Sequence, residues 1–495
     1  MKHVVVVGSG PIGSAFAKSI HDNDSNVHVT MFEVGPANTS PLGRHVRALD
    51  TEQEMLKAQQ LAQGPKANQH HDAGLMHRGV VTARPGTFLV EDGVESQMPA
   101  TAMSANVGGM GVHWTCACPR FGAGEIPDFI DREEYESDLK TAWNMLKVSQ
   151  TVFENWPRGK QLRDILGKKY NVGRTADRFV QPMPLAVEIK DDRIWWTGTE
   201  TIIEDLLVSP RFTLVPETLA TELIHNGSKV TGVITKNMST AELTEVAADL
   251  VFVAADSIRT PQLLFNSKIR PEALGKHLND HGQILGLAEL PESVTDDRQK
   301  PEVQNNLTNY SGVSWIPYDR EKFPVHAQIM QMDASPIPLK EVKEPRQGAY
   351  VGVGLFVPKH VRPEDRVEFS ETESDFFGMP KPSLFYKWDE EDESRFAKAK
   401  ELLTEVCETI GTPLGSGAIV MPPGSSLHYM GTVRMGAEND GKSVCDENSK
   451  VWGFENLFVG GNGVIPTETA ANPTPTSMAF AIKAARAAKE RLNTK

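Results

Sequence analysis

The first apolar block, Val4–Val7, is too short for a helix and ends directly on Gly8, Gly10 and Gly13. A second block, Val27–Phe32, follows after a helix-length amphipathic stretch that opens on Pro11, and it ends on Glu33. Short continuous apolar runs bounded by glycine predict buried parallel strands, and proline fits the first turn of a helix. The unit therefore reads strand, helix, strand. Gly8 allows the tight turn, Gly10 lets the backbone approach a pyrophosphate, and Gly13 lets helix pack closely on strand. The free N–H groups opening the helix at Pro11–Ser14 suit the pyrophosphate. Glu33, twenty positions after the last glycine, suits the ribose hydroxyls. The block predicts a dinucleotide site, with Ile12 inside its turn.

Further along, Gly35–Gly74 is polar and irregular and reads as an excursion over the surface. Ser104–Arg120 packs three glycines into four positions, Gly108, Gly109 and Gly111, which predicts unusual backbone angles or a loop pressed against something flat. Glu133–Lys147 has helical amphipathicity, and Phe212–Lys236 reads as two strands about the turn Asn226-Gly227. Leu250–Ala255 is a further buried strand, followed by a helix with Pro261 in its first turn. Alternating segments between residues 283 and 390, such as Gln283–Leu290 and Tyr350–Phe356, predict a separate antiparallel sheet. Asn456–Val459 is a last buried strand, and Thr476–Leu492 an alanine-rich closing helix. The expected fold class is α/β: a discontinuous Rossmann-like domain from 1–130, 211–282 and 440–495, and an inserted substrate domain from 131–210 and 283–439.

Composition narrows the partners. A net charge of −14 argues against nucleic acid or an anionic membrane surface. The 4 cysteines, Cys116, Cys118, Cys407 and Cys445, are too scattered for a disulfide framework or a zinc site, so reduced thiols and no metal are expected. No apolar run reaches membrane-spanning length, and the first one is the nucleotide strand rather than a cleavable leader, so a cytoplasmic protein is expected.

Two late stretches carry candidate chemistry: Leu427-His428-Tyr429-Met430-Gly431-Thr432, and Gly460-Gly461-Asn462-Gly463 running on to Ala471-Asn472-Pro473-Thr474. A histidine can act as base at neutral pH, yet a single one is more often structural. Asn472 before Pro473 equally reads as a helix N-cap. Together with Gly8–Gly13, Gly108-Gly109-Met110 leading to His113-Trp114-Thr115, Thr260-Pro261-Gln262-Leu263-Leu264 and Gly275–His281, they give the chain a resemblance, over nearly its whole length, to the glucose-methanol-choline (GMC) flavin oxidoreductases, and within them to the pyranose oxidase branch.

That resemblance implies FAD rather than NAD, and oxidation of a secondary hydroxyl of a pyranose or glycoside, at C2 or C3, with O2 or a quinone reoxidising the flavin. It implies His428 as the base that takes the hydroxyl proton, with Asn472 hydrogen-bonding the same oxygen. His113 matches a position joined covalently to the flavin in many pyranose oxidases, but Gly111 and Val112 replace the usual Ser and Thr, which leaves the linkage open. Thr115 matches a residue near the flavin N5, and Trp114 lines the cofactor or packs beneath it. Adenine contacts are implied around Leu219 and Ala220 and from Ala254 and Ala255, with Gly461, Asn462 and Thr474 at the flavin end. Gln262 has the simpler reading of a solvated helix face. Gln328, in Phe323–Gln328, is similar to a sugar contact, while Met330 and Gln331 read equally as core and edge. The competing readings are a dehydrogenase of the same fold that does not use O2, a flavin-binding protein without catalysis, and an NAD enzyme. The oligomeric state is left open.

Overall fold

The computed structural model describes residues 1–51, 53–55, 57–58, 87–89, 96–294, 310–332 and 349–493. Its first layer is a five-stranded parallel sheet in the order Leu457–Val459, Leu250–Val253, Lys2–Val7, Val27–Phe32, Phe212–Val215. These strands are almost wholly apolar because both faces are covered, as parallel sheets require. On one face the helices Pro11–Asn23 and Thr474–Asn493 pack together through Ala15, Phe16, Met478 and Ala481. The last helix of the chain thus rests on the first. A three-stranded antiparallel sheet, Thr218–His225, Val230–Asn237 and Leu243–Ala247, lies beside the helix Asp256–Asn266.

The second layer is a six-stranded antiparallel sheet ordered Thr412–Val420, Gly282–Glu289, Tyr350–Val357, His326–Met332, Tyr310–Ile316, Gln181–Pro182. Side chains alternate across it with period two. Ile316, Ala327, Ile329, Val353 and Leu355 bury one face against the helices Pro157–Tyr170 and Glu390–Ile410. Trp315, His326, Gln328 and Phe356 hold the other parity. Trp315 pairs with Gln328 and His326 with Phe356, so these four are neighbours by register.

Several expectations are corrected. Residues 35–50 are no surface excursion. A Cβ on Gly35 would meet Ala105 backbone at 2.0 Å, His45 is buried with Nε2 3.0 Å from the Trp114 carbonyl, and Arg44 forms a two-pronged ion pair with Glu200. Residues 59–74 of that segment lie outside the described residues. Within 212–236 the two strands expected about Asn226-Gly227 form as Thr218–His225 and Val230–Asn237, and Phe212–Val215 adds an edge strand to the parallel sheet. Arg366–Ser374 and Pro380–Phe385 form a two-stranded hairpin outside the six-stranded sheet, bridged at Arg366 to Lys276.

Pro261 sits inside its helix, which begins at Asp256. A proline there removes the bond to the carbonyl four residues back. That carbonyl, on Ser257, accepts instead from the Thr432 hydroxyl. Gln262 is buried rather than solvated: it donates to Asp375 and to the Pro380 carbonyl and accepts from Arg259, tying the helix to the hairpin. Gln331 is no edge residue either, being buried and bonded to Ser314 at 2.7 Å.

Candidate active site

The glycine turn has the geometry its spacing predicts. Gly8 has φ +99°, and a Cβ on Gly13 would lie 1.9 Å from the Gly8 carbonyl oxygen, so helix and strand touch backbone to backbone. The second glycine loop lies directly on the first. A Cβ on Gly109 would meet Gly10 Cα at 3.3 Å, and one on Gly111 would meet Pro11 Cγ at 2.9 Å. Part of the demand for glycine at 108–111 is therefore protein packing rather than ligand approach. Ser9 links the two loops: its hydroxyl accepts from Gly108 N–H at 2.9 Å and donates to Glu33 at 2.6 Å. Glu33 also accepts from the N–H groups of Ser9 and Gly35. Burial pushes this carboxyl up to about 7.

Open volume remains beside this buried backbone. Gly461 is buried with φ +100°, yet a Cβ built on it meets no protein atom within 4 Å. At Gly10 the nearest is Gly108 O at 4.0 Å, and Gly460 packs on Ile12 and Phe16, which brings Gly461 to the same helix start. A dinucleotide cradle of this kind leaves room where side chains would otherwise sit, and the residues fit FAD in that respect. Around it, the Met110 sulfur accepts from Ser104, whose hydroxyl also lies 2.8 Å from His113 Nε2. Trp114 donates its indole N–H to the Thr197 carbonyl, and Thr115 is exposed. Ala220 is buried in its strand, and Ala255 N–H donates to the Thr260 hydroxyl. Asn462 opens a 3₁₀ turn and accepts from Ser477, and Thr474 is the first residue of the closing helix.

The polar cluster lies where that helix start meets the antiparallel sheet. His428 Nε2 is 3.1 Å from the Asn472 amide, and its Nδ1 is 3.0 Å from His281 Nδ1. His281 Nε2 is 2.8 Å from the Thr469 hydroxyl. The amides of Asn472 and Gln328 meet at 2.7 Å, Gln328 lies 3.1 Å from His326 Nε2, and Trp315 donates to His326 Nδ1 at 3.0 Å. The Phe356 ring lies against both His428 and His326. Asn472 is not the helix cap: the helix starts at Thr474, and the Pro473 carbonyl takes the Ser477 N–H. Its side chain is committed to the cluster instead.

Loss of hydration pulls His428 down to about 3 and His326 likewise, and it holds His281 well below the ordinary histidine value. All three rings are neutral. Under them, buried Asp280 accepts from the His428 N–H at 3.1 Å and from the Ser426 hydroxyl, and burial raises its carboxyl to about 7. Buried Glu125 accepts from the N–H groups of Ala470 and Ala471, the two residues before Asn472. An unprotonated ring, an amide on the same locus and a dry sheet face make a site able to take a proton from a hydroxyl.

An α/β dinucleotide fold with a neutral histidine and an amide where its last helix begins fits a dinucleotide-dependent oxidoreductase, and the comparisons give it a family. Models of the GMC oxidoreductase family match residues 127–283 and 363–481. The chain is 40% identical over 494 residues to a C-glycoside 3-oxidase of Microbacterium trichothecenolyticum, covering 98% of this chain and 95% of that one. It is 31% identical over 532 residues to a pyranose 2-oxidase of Tricholoma matsutake, covering 98% and 93%. The solved structure of pyridoxine 4-oxidase from Mesorbium loti shares the fold, with a TM-score of 0.65 at 16% identity over 98% of this chain and 99% of that one. The chain belongs to the GMC oxidoreductase family. It is an FAD-dependent oxidoreductase acting on CH–OH groups.

Sequence reasoning missed His281 as a partner of His428, and missed Trp315, His326, Asp280 and Glu125. His281 ends the quoted run Gly275–His281 and was within reach as a polar residue beside a strand start. Trp315 carries no local signal, since an indole in a strand reads as core.

Proposed function

We propose that this protein oxidises a secondary hydroxyl of a pyranose sugar or glycoside to the keto sugar, at C3 in preference to C2, with O2 or a quinone as the final acceptor. The observation that carries this reading is the 3.1 Å pairing of His428 Nε2 with the Asn472 amide, with Gln328 joined to it on a dry sheet face. Bound FAD supplies the acceptor for the hydride that leaves the carbinol carbon. His428 takes the hydroxyl proton at Nε2. Asn472 holds the same oxygen, and Gln328 contacts a neighbouring sugar hydroxyl. Phe356 keeps water from the rings. The start of Thr474–Asn493, with its positive dipole end, favours negative charge in the cradle.

The residues proposed to hold FAD are the first glycine turn with Glu33, the loop from Gly108 through Met110 to Thr115, Ala220 and Ala255, and Gly461 to Asn462 with Thr474. Attachment through His113 is proposed to be non-covalent, because Gly111 and Val112 replace the residues that usually precede the linkage and His113 Nε2 is engaged by Ser104. The greater identity to a C-glycoside 3-oxidase than to a pyranose 2-oxidase favours C3. The four cysteines, all buried and unpaired, favour work in the cytoplasm. Segments 1–130, 211–282 and 440–495 are proposed as the FAD-binding domain.

The test is anaerobic bleaching of the yellow holoenzyme across sugars and glycosides, with the product's keto position read by NMR and peroxide yield measured with and without a quinone. Bleaching by no member of the panel would overturn the reading. Denaturing the protein and finding the yellow colour bound to the polypeptide would overturn non-covalent attachment.

A further inference from the structure

One member of the polar chain has no choice of role. The Trp315 indole is a donor only, and it meets His326 Nδ1 at 3.0 Å. His326 must offer a lone pair there. As a neutral ring it then carries its proton on Nε2, directed at the Gln328 amide 3.1 Å away. The amide atom at that point must be the carbonyl oxygen, since an amide's orientation is decided by its partners. The same atom lies 2.7 Å from Asn472, so Asn472 presents its NH2 to Gln328 and its oxygen to His428 Nε2, 3.1 Å away. An oxygen there can only accept. His428 therefore carries its proton on Nε2, and its Nδ1 accepts from His281 Nδ1–H at 3.0 Å. His281 Nε2 in turn accepts from the Thr469 hydroxyl at 2.8 Å, whose single proton goes to this imidazole nitrogen rather than to the Met430 sulfur 3.3 Å away, the weaker acceptor. Reversing the two amides would set an NH2 against His326 Nε2–H and leave that contact repulsive.

We propose that Trp315 and His326 are positioning residues: acting through the Gln328 amide, the indole N–H sets the orientation of Asn472 and holds the proton of substrate-free His428 on Nε2. The consequence rests on the reading of His428 as the base, which needs the Nε2 lone pair. In this arrangement that lone pair is unavailable. A hydroxyl entering between His428 and Asn472 breaks the last link of the chain and lets His428 hold its proton on Nδ1, towards His281. Both arrangements carry one proton per ring and differ only in which nitrogen bears it.

The test uses oxidised, FAD-loaded protein with ¹⁵N-labelled histidine and no sugar, reading by long-range ¹H–¹⁵N correlation which ring nitrogen is protonated. The expected result is protonation of His326 and His428 on Nε2, with a measurable fraction of Nδ1-protonated ring appearing at both in Trp315→Phe, where nothing dictates the tautomer any longer. Gln328→Met cuts the chain at its middle and serves if Trp315→Phe does not fold: His326 stays protonated on Nε2 while the His428 signal shifts. His428 protonated on Nδ1 in the parent, or unchanged rings in both variants, would overturn the proposal. Because no sugar is present, failure here is separate from failure of the sugar to bleach the flavin.

Discussion

The two ends of the chain build their halves of the site by opposite means. Near the N-terminus the work is done by backbone: Gly8 turns, Gly13 admits the Gly8 carbonyl to a place a methyl would occupy, and a second glycine loop lies on the first. In the later half of the chain it is done by side chains from four separated segments, with His281 reaching His428, His428 reaching Asn472 and Asn472 reaching Gln328 by hydrogen bonds. Backbone cradles tolerate no added atom but survive loss of a distant side chain. Side-chain chains do the reverse, keeping their fold when truncated and losing their chemistry. The difference predicts that substitutions at the two ends separate binding from turnover.

The largest effect expected is at His428. In His428→Ala the FAD cradle is untouched, so the protein stays yellow, while flavin reduction by sugar falls by about 10²–10⁴-fold, the range for loss of a general base. Stopped-flow reduction of the anaerobic holoenzyme measures it, and a rate near the parent's would remove His428 from the base role. Asn472→Ala comes next, with a loss of up to about 10²-fold, on the scale of a reacting group left misplaced beside the base. No loss of helix capping accompanies it, because the Pro473 carbonyl rather than Asn472 receives the Ser477 N–H. Thermal melting should show only the cost of leaving buried Gln328 and His428 short of a partner, about 1–3 kcal/mol, with no capping loss added to it.

Gly13→Ala breaks the comparison from the other side. Its methyl would sit 1.9 Å from the Gly8 oxygen, a contact with backbone on both sides. Overpacking typically costs about 1–3 kcal/mol, and here the turn under the proposed pyrophosphate site must shift as well. The expected product is a less stable protein that purifies with little flavin, measured by absorbance per polypeptide. Any fraction that retains FAD should reduce at the parent rate, since His428 and Asn472 are elsewhere. A normal flavin content would mean that the close approach is not needed for the cradle.

This division also explains what could be read in advance. Glycine spacing is a local signal with a backbone cause, so the turn at Gly8–Gly13, the strands on either side and the fold class were all legible. His428 and Asn472 stood out only through motifs spread along the chain, and Asn472 was equally readable as a cap until the helix start at Thr474 separated the two roles. Trp315 was invisible, and His326 lay within the run Phe323–Gln328 without standing out from it, because their importance lies in strand register: Trp315 faces Gln328, and His326 faces Phe356. Register is set by pairings across the sheet that no single segment contains. Pro261 misled for a related reason. A proline inside a helix reads as a boundary unless a distant group, here Thr432, satisfies the carbonyl it leaves free.

The smallest expected effect probes a feature the two ends share. Each contains a buried carboxyl lifted to about 7, Glu33 beneath the glycine turn and Asp280 beneath His428. A carboxyl whose folded pKa lies above its unfolded value binds its proton more tightly in the fold. Stability from this source is therefore greatest at low pH and is lost as pH rises from about 4 through about 7. Asp280→Asn, which is uncharged at every pH, should gain in melting temperature relative to the parent above pH 7, with the gain shrinking as the pH is lowered towards 5. Glu33→Gln should follow the same trend in flavin-free protein. It should also weaken FAD binding, because the Glu33 carboxylate both draws in Ser9 and is proposed to face the ribose. If the Asp280→Asn difference is flat across this range, the carboxylate is charged in the fold, and the His428 backbone is held by an anion rather than by a neutral acid.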